Sequence, residues 1–326
     1  MTAIEIKNLT KKFDGFTAVD TISFEIQEGE FFGLLGPNGA GKTTIINMLS
    51  TILKPSAGNA KVNGFKLDEQ DKVRKSIGIV FQDPSLDDEL TAKENLEFHG
   101  RMYHIPSEVR KERISEVLRL VDLQDKANML VKTYSSGMKR RLEIARGLMH
   151  MPKILFLDEP TIGLDPQTRR KIWEYVREAN KNNNLTVILT THNMEEADQC
   201  DRIAIIDHGK VIALDTPENL KNVMGGDILT FETPDAEKLK VLLKYEWVKE
   251  MKIVDGMMNV TVSNGEKAIP NILDVAGDHG IKINSVKLTK PTLEDVFIHY
   301  TGRTIREEEA SPVDRLRSAV KQAWRR

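Results

Sequence analysis

Gly36-Pro37-Asn38-Gly39-Ala40-Gly41-Lys42-Thr43 follows the apolar run Phe31 to Leu35 and opens into the amphipathic run Thr44 to Leu53. That order predicts a strand, a glycine-rich turn and a helix. Glycines accept φ > 0 and let the chain pass close to a ligand, and a helix N-terminus offers inward-pointing N–H groups and partial positive charge. In that setting the pattern G-x-x-x-x-G-K-[ST] predicts a nucleoside triphosphate site. Its candidate phosphate-binding residues are Gly36, Pro37, Asn38, Gly39, Ala40, Gly41, Lys42, Thr43 and Thr44. Lys42 is expected to reach the β- and γ-phosphates, and the Thr43 hydroxyl to ligate Mg²⁺.

Downstream, Ile154-Leu155-Phe156-Leu157-Asp158-Glu159 is an apolar strand ending in two adjacent carboxylates. Combined with the phosphate loop, Asp158 is expected to hold the Mg²⁺ and Glu159 to orient and deprotonate an attacking water.

The 326 residues suffice for about two domains. At 40% hydrophobic and 29% charged the composition is that of a globular protein. A net charge of −2 disfavours generic nucleic-acid binding, which needs a basic surface. Cys200 is the sole cysteine, so no intramolecular disulfide can form, in keeping with a reducing compartment. Met1 to Asn8 lacks an apolar core of signal-peptide length, and no run approaches the ~18 apolar residues needed to span a bilayer. Any membrane role is therefore expected to work through a partner or through surface attachment.

Alternation places Ile4 and Ile6, then Ile22, Phe24 and Ile26, on one face of an antiparallel sheet. Beyond the phosphate loop the pattern predicts strand Ile77 to Phe81 and helices Ala92 to Gly100 and Val109 to Val121. Strands at Ile154 to Leu157, Thr186 to Leu189, Ile203 to Ile206 and Val211 to Leu214 then interleave with helices Thr168 to Asn180 and Met194 to Gln199. Alternating strands and helices predict an α/β domain with a mixed, mostly parallel sheet covered on both faces. Gly225-Gly226 marks the expected boundary, giving domains 1–224 and 225–303 and a tail 304–326. The second domain reads β-α-β-β-α-β, with an Asp255-Gly256 hairpin turn and a last strand Ile281 to Leu288, which predicts a small α+β ferredoxin-like fold.

Tyr134-Ser135-Ser136-Gly137-Met138 stands before a basic amphipathic helix, Lys139 to Met149. Alone, Ser-Ser-Gly there would be a helix N-cap. With Gln82, Gly163-Leu164-Asp165 and His192 in the same order, residues 4 to 220 resemble the ATP-binding subunits of ABC transporters, a P-loop ATPase family. The resemblance implies ATP and Mg²⁺ as cofactors, and a homodimer of head-to-tail copies with each ATP between the phosphate loop of one and Ser135, Ser136 and Gly137 of the other. It makes His192 the γ-phosphate sensor and Gln82 the link from the metal and catalytic site to a permease-facing region near Asp83 to Asn95. Asp165 becomes the D-loop carboxylate and Phe13 the ring stacked on adenine. Departures are Ser136 for a glycine, Met138 for a glutamine and Phe13 for a tyrosine.

Pro291-Thr292-Leu293-Glu294-Asp295-Val296-Phe297 followed by Thr301-Gly302-Arg303 looks like the ending of daunorubicin-resistance-type exporter ATPases, though the same residues would also make an ordinary docking helix. The resemblance implies export of a drug, antibiotic or lipid-like substrate through a separate integral-membrane permease, from the cytoplasmic face of the cell membrane. Two other classes stay open at this level: a soluble ATPase of the same type acting on nucleic acid or the ribosome, and an effector-regulated module. In the tail, Val313, Leu316, Val320, Ala323 and Trp324 share a helical face flanked by Arg315, Arg317, Lys321, Arg325 and Arg326, which suits either a lipid-surface helix or a solvated terminus.

Overall fold

The computed structural model describes residues 1–254 and 257–302. The Asp255-Gly256 turn, Arg303 and the amphipathic tail lie outside the described residues. The described residues divide into two compact units, 1–214 and 215–302.

In the first unit, β1 (Thr2–Phe13) and β2 (Phe16–Gln27) pair antiparallel with the expected alternation clearest in β2, where Ile22, Phe24 and Ile26 are buried and Thr21, Ser23, Glu25 and Gln27 are exposed; Ile4 and Ile6 of β1 are buried with them. One buried face and one wet face is what an antiparallel sheet permits. Next in the chain come β3 (Phe31–Leu35), α1 (Lys42–Leu49), β4 (Ala57–Val62), β5 (Phe65–Lys66), α2 (Gln70–Ser76) and β6 (Ile77–Val80). Neither β4, β5 nor α2 was legible beforehand; β4 joins the first sheet by pairing with β1, giving the order β2-β1-β4-β5.

Three helices follow, α3 (Ala92–Met102), α4 (Ser107–Leu120) and α5 (Ser136–Leu148). A Thr91 and Glu94 capping box starts α3, and Arg113 of α4 donates to Leu148 O at 2.8 Å. The remaining elements are β7 (Ile154–Asp158), α6 (Pro166–Asn183), β8 (Thr186–Thr191), α7 (Met194–Ala197), β9 (Arg202–Asp207) and β10 (Lys210–Asp215). The second sheet has the order β10-β9-β3-β8-β7-β6, and its four pairings from β9 through to β6 are parallel. Every residue of β3, β7 and β8 is buried, as strands covered on both faces require. Phe24 stacks on Phe32 with centroids 5.5 Å apart, joining the two sheets in one core with Ile45 and Ile46 of α1.

The second unit contains α8 (Pro217–Asn222), β11 (Asp227–Glu232), α9 (Ala236–Leu242), β12 (Val248–Val254), β13 (Met257–Val262), α10 (Gly265–Asp278), β14 (Ser285–Thr289) and α11 (Leu293–Thr301). Its sheet runs β12-β13-β11-β14, all antiparallel, with Leu229, Phe231, Met258 and Val260 buried against Leu239 and Ile272. This is the β-α-β-β-α-β arrangement read from the sequence, although the last strand starts later than expected, at Ser285. The break between units falls ahead of the paired glycines, because α8 packs on α11 of the second unit. Gly226 instead serves the sheet entrance: at φ 118 a Cβ there would sit 2.1 Å from Val262 O.

Candidate active site

The phosphate loop turns at the C-terminal end of β3 and enters α1 through Gly41, whose φ is 106. A Cβ on Gly41 would lie 2.5 Å from Ala18 O, and one on Gly36 2.2 Å from Ile206 O. Both positions therefore demand glycine, one through backbone conformation and close approach, the other through close approach alone. The first-turn N–H groups of a helix have no acceptor within it, so the start of α1 favours an anion. Lys42, only 5% exposed, donates from Nζ to Gly36 O at 2.7 Å and to Pro37 O at 2.9 Å, which aims its ammonium across the loop.

Strand order completes the site. β8 lies between β3 and β7, with Thr191 in register with Leu35 on one side and Thr190 with Asp158 on the other. Asp158 Oδ1 accepts from Thr43 Oγ1 at 3.1 Å and from Thr190 Oγ1 at 2.5 Å. A carboxylate and a hydroxyl 3.1 Å apart beside the phosphate loop form the hard-oxygen pair that suits Mg²⁺, which takes one or two protein oxygens and completes its shell with phosphate and water.

Glu159 follows with φ 44, a left-handed conformation that costs a non-glycine residue about 1 kcal/mol or more and turns its side chain off the strand. Its N–H donates to Thr190 Oγ1 at 3.0 Å. Its Oε1 lies 3.2 Å from His192 Nδ1 and 3.6 Å from Lys42 Nζ. Burial pushes the Glu159 carboxyl up, but the His192 hydrogen bond and the Lys42 charge outweigh it, so the group is held below the ordinary glutamate range. An ionised carboxylate beside a phosphate loop can accept a proton from water.

Lys42, Thr43, Asp158, Glu159 and His192 thus form one group. The other sequence-derived candidates stand on other elements. Ser135 is the N-cap of α5, accepting from Met138 N at 3.2 Å, and both Ser135 and Ser136 are exposed. Ser136, the first residue of α5, has no positive φ, so replacing a glycine there is free of backbone strain. Gly137 is the close-packed member: a Cβ on it would lie 2.6 Å from Thr168 Cγ2 of α6. Asp165 caps α6, accepting from Thr168 N at 3.0 Å, and hydrogen bonding from the Thr168 side chain first and its backbone N–H second holds the Asp165 carboxyl below the usual aspartate range. Phe13 is 43% exposed at the hairpin tip of the first sheet, stacked on Phe16 with Lys11 Nζ 5.1 Å from its centroid. Gln82 is exposed just beyond β6, and no hydrogen bond joins it to Thr43 or Asp158.

Three contributors escaped the sequence reading. Thr190 is one, and its only signal was a hydroxyl at the end of an apolar strand. Arg140, 8% exposed on α5, donates to Pro160 O at 2.6 Å, Phe81 O at 2.5 Å and Asp158 O at 3.0 Å, tying the ends of β6 and β7 together. Glu196 of α7 is 4% exposed and accepts from both Thr161 and Thr191.

With that geometry in view, the chain proves 39% identical over 311 residues to the linearmycin resistance ATP-binding protein LnrL of Bacillus subtilis (strain 168), covering 93% of this chain and 100% of the relative. The chain belongs to the ABC transporter family. A model described as ABC transporter matches residues 19–162 of this ATPase, and one described as ATP-binding protein DrrA1-3-like, C-terminal domain, matches 216–301. The ABC ATPase is also 39% identical to the daunorubicin/doxorubicin resistance ATP-binding protein DrrA of Streptomyces peucetius, over 92% of each chain. Among solved structures it resembles the ATP-binding cassette MJ0796, in a dimeric post-hydrolysis state bound to ADP and Pi, with a TM-score of 0.60 and 32% identity over 65% of this chain and 98% of that one. These likenesses support the transport reading over the nucleic-acid, ribosome or effector alternatives. The chain is the ATP-binding, ATP-hydrolysing component of an ABC system. Among its described residues no helix is long and apolar enough to cross a membrane.

Proposed function

We propose that this ABC ATPase powers export of a drug, antibiotic or lipid-like molecule through a separate membrane permease, held peripherally at the cytoplasmic face of the membrane. The observation that carries the reading is the group of Lys42, Thr43, Asp158, Glu159 and His192, brought together by hydrogen bonds and ion pairs, in a chain similar along nearly its whole length to drug-resistance ATP-binding proteins. The N-terminus of α1 and Lys42 bind the phosphates; Thr43, Asp158 and Gln82 are the residues that would hold Mg²⁺. When bound, the metal neutralises charge on the transferred phosphoryl oxygens. Glu159 orients and deprotonates the water, and His192 contacts the γ-phosphate.

Two copies pair head to tail, Ser135 and the N-terminus of α5 closing over the partner's ATP, Asp165 lying at the interface and Phe13 stacking on adenine. The permease docks beside Asp83 to Asn95. There a cleft of about 390 Å³, lined by Phe81, Ser85 and Tyr103, carries Phe98 and Met102 that are 61% and 62% exposed. Large exposed apolar side chains beside a cleft suit a partner surface.

Tagged Glu159→Gln protein, captured with ATP from mildly solubilised native membranes, is expected to retain ATP, nearly lose turnover and bring down a stoichiometric polytopic partner. Recovery of soluble partners or ribosomes alone, with a known permease complex captured in parallel, overturns the export reading. Lys42→Ala is expected to weaken ATP binding itself, by about tenfold or more.

A further inference from the structure

Glu196 is almost completely buried, and its hydrogen bonds go to Thr161 and Thr191 rather than to the phosphate loop or the paired carboxylates. Its two oxygens go to two different segments. Oε1 accepts from the hydroxyl of Thr161, which stands two residues after Glu159; Oε2 accepts from Thr191 Oγ1 at 2.7 Å, immediately before His192. Thr191 Oγ1 in turn accepts from Asn193 N at 2.9 Å, so His192 is flanked on both sides by groups tied to this carboxylate. Arg169 Nε, 3.8 Å from Oε1, brings in α6, whose N-cap is Asp165. A shallow cleft of about 110 Å³ lined by Glu159, Thr161, Arg169, His192 and Glu196 lies at this junction.

We infer that Glu196 is a positioning residue for ATP hydrolysis, a bracket that fixes the segment bearing Glu159 and the segment bearing His192 relative to each other. Glu159 follows β7 and His192 follows β8, so both lie beyond the strand ladder and their spacing depends on side-chain bonds such as the 3.2 Å contact between Glu159 Oε1 and His192 Nδ1. Glu196, accepting from one hydroxyl on each side, adds a second and buried tie beside the direct Glu159–His192 contact, and hydrogen bonds to a carboxylate are the stronger kind. Arg169, on the helix that Asp165 starts, lies against the same carboxylate and adds α6 to the bracket. The inference rests on the roles proposed above for Glu159 and His192.

Steady-state ATPase kinetics of the full chain test it. Glu196→Ala is expected to lower kcat by about tenfold or more with KM for ATP within about twofold, since a small misplacement of reacting groups costs rate more than binding. Glu196→Gln should recover part of the loss, its one carbonyl oxygen serving a single threonine. Glu196→Ala combined with His192→Ala should turn over no more slowly than His192→Ala alone, because residues acting as a unit are not additive. A folded Glu196→Ala protein with wild-type kcat, or losses that multiply in the double variant, overturns the inference. If Glu196→Ala does not fold, Thr161→Val and Thr191→Val carry the test, each expected to lower kcat at unchanged KM, and wild-type kcat in both is the overturning result. Glu159→Gln is the separating control: wild-type turnover there removes the underlying assignment whatever Glu196 does, whereas an inert Glu159→Gln with an active Glu196→Ala removes only the bracket.

Discussion

Thr190 and Asp158 share a 2.5 Å hydrogen bond across neighbouring parallel strands, and the same threonine oxygen receives the N–H of Glu159 at 3.0 Å. One hydroxyl therefore orients the Asp158 carboxylate proposed to hold Mg²⁺ and pins the backbone that carries the proposed base. Thr190→Val keeps the shape and strands a buried N–H and a carboxylate lone pair. It should cost about 1–3 kcal/mol of stability in urea unfolding and lower kcat with it. Undiminished kcat would show that Thr43 alone suffices to orient Asp158.

Gly137 and Ser136 invite opposite outcomes. Gly137→Ala drives a Cβ to 2.6 Å from Thr168 Cγ2, a stiff β-branched side chain, and should destabilise by about 1–3 kcal/mol. Ser136→Gly, at an exposed first helical residue, should change stability by about 0.5 kcal/mol at most. Paired unfolding curves decide both, and equal effects would contradict the packing described for α5 and α6.

Arg140 satisfies three backbone carbonyls from inside the protein. Arg140→Met fills similar volume without donors, so about 3 kcal/mol or more of stability should be lost, and Arg140→Lys, with one ammonium in place of a fork, should restore only part. Full recovery by lysine would mean that charge rather than fork geometry matters.

His99 stands in an aromatic group with Tyr103 and His150, centroids 4.9 Å and 6.0 Å away, and burial pulls its pKa down to about 3, with Arg146 and His150 adding to the effect. The unfolded chain binds a proton near 6.5 that the folded chain refuses, so this contribution to stability is complete above that value and is lost as pH falls from about 6.5 towards 3. His99→Phe should flatten the pH dependence of the urea midpoint below pH ~6, by up to ~1.4 kcal/mol per pH unit for one such group. An unchanged slope would place the acid sensitivity elsewhere.

Much of this was legible in local sequence. The phosphate loop is contiguous, and its glycines, lysine and threonine are dictated by backbone conformation and phosphate chemistry within eight residues. Asp158 and Glu159 close an apolar strand in a way a periodicity scan detects. The second unit's β-α-β-β-α-β order was likewise readable, because each element carries its own apolar period. The short β4 was not: Gly58 and Asn59 are poor strand formers, and its identity comes from pairing Val62 and Ala60 with Ile4 and Ile6 of β1.

By itself, then, the sequence determined which chemistry the chain can perform, since motif and ligand meet through short-range covalent spacing. Only the tertiary structure decided that β8 lies between β3 and β7, so that Thr190 reaches Asp158 and Thr191 reaches Glu196. It also decided that Arg140, from the helix capped by Ser135, holds the carbonyls of Asp158 and Pro160 on either side of Glu159. Strand order and such long-range bonds follow from packing summed over the whole core rather than from any one segment. Residues such as Thr190, Arg140 and Glu196 therefore look ordinary in the sequence and acquire their roles only through the neighbours folding gives them.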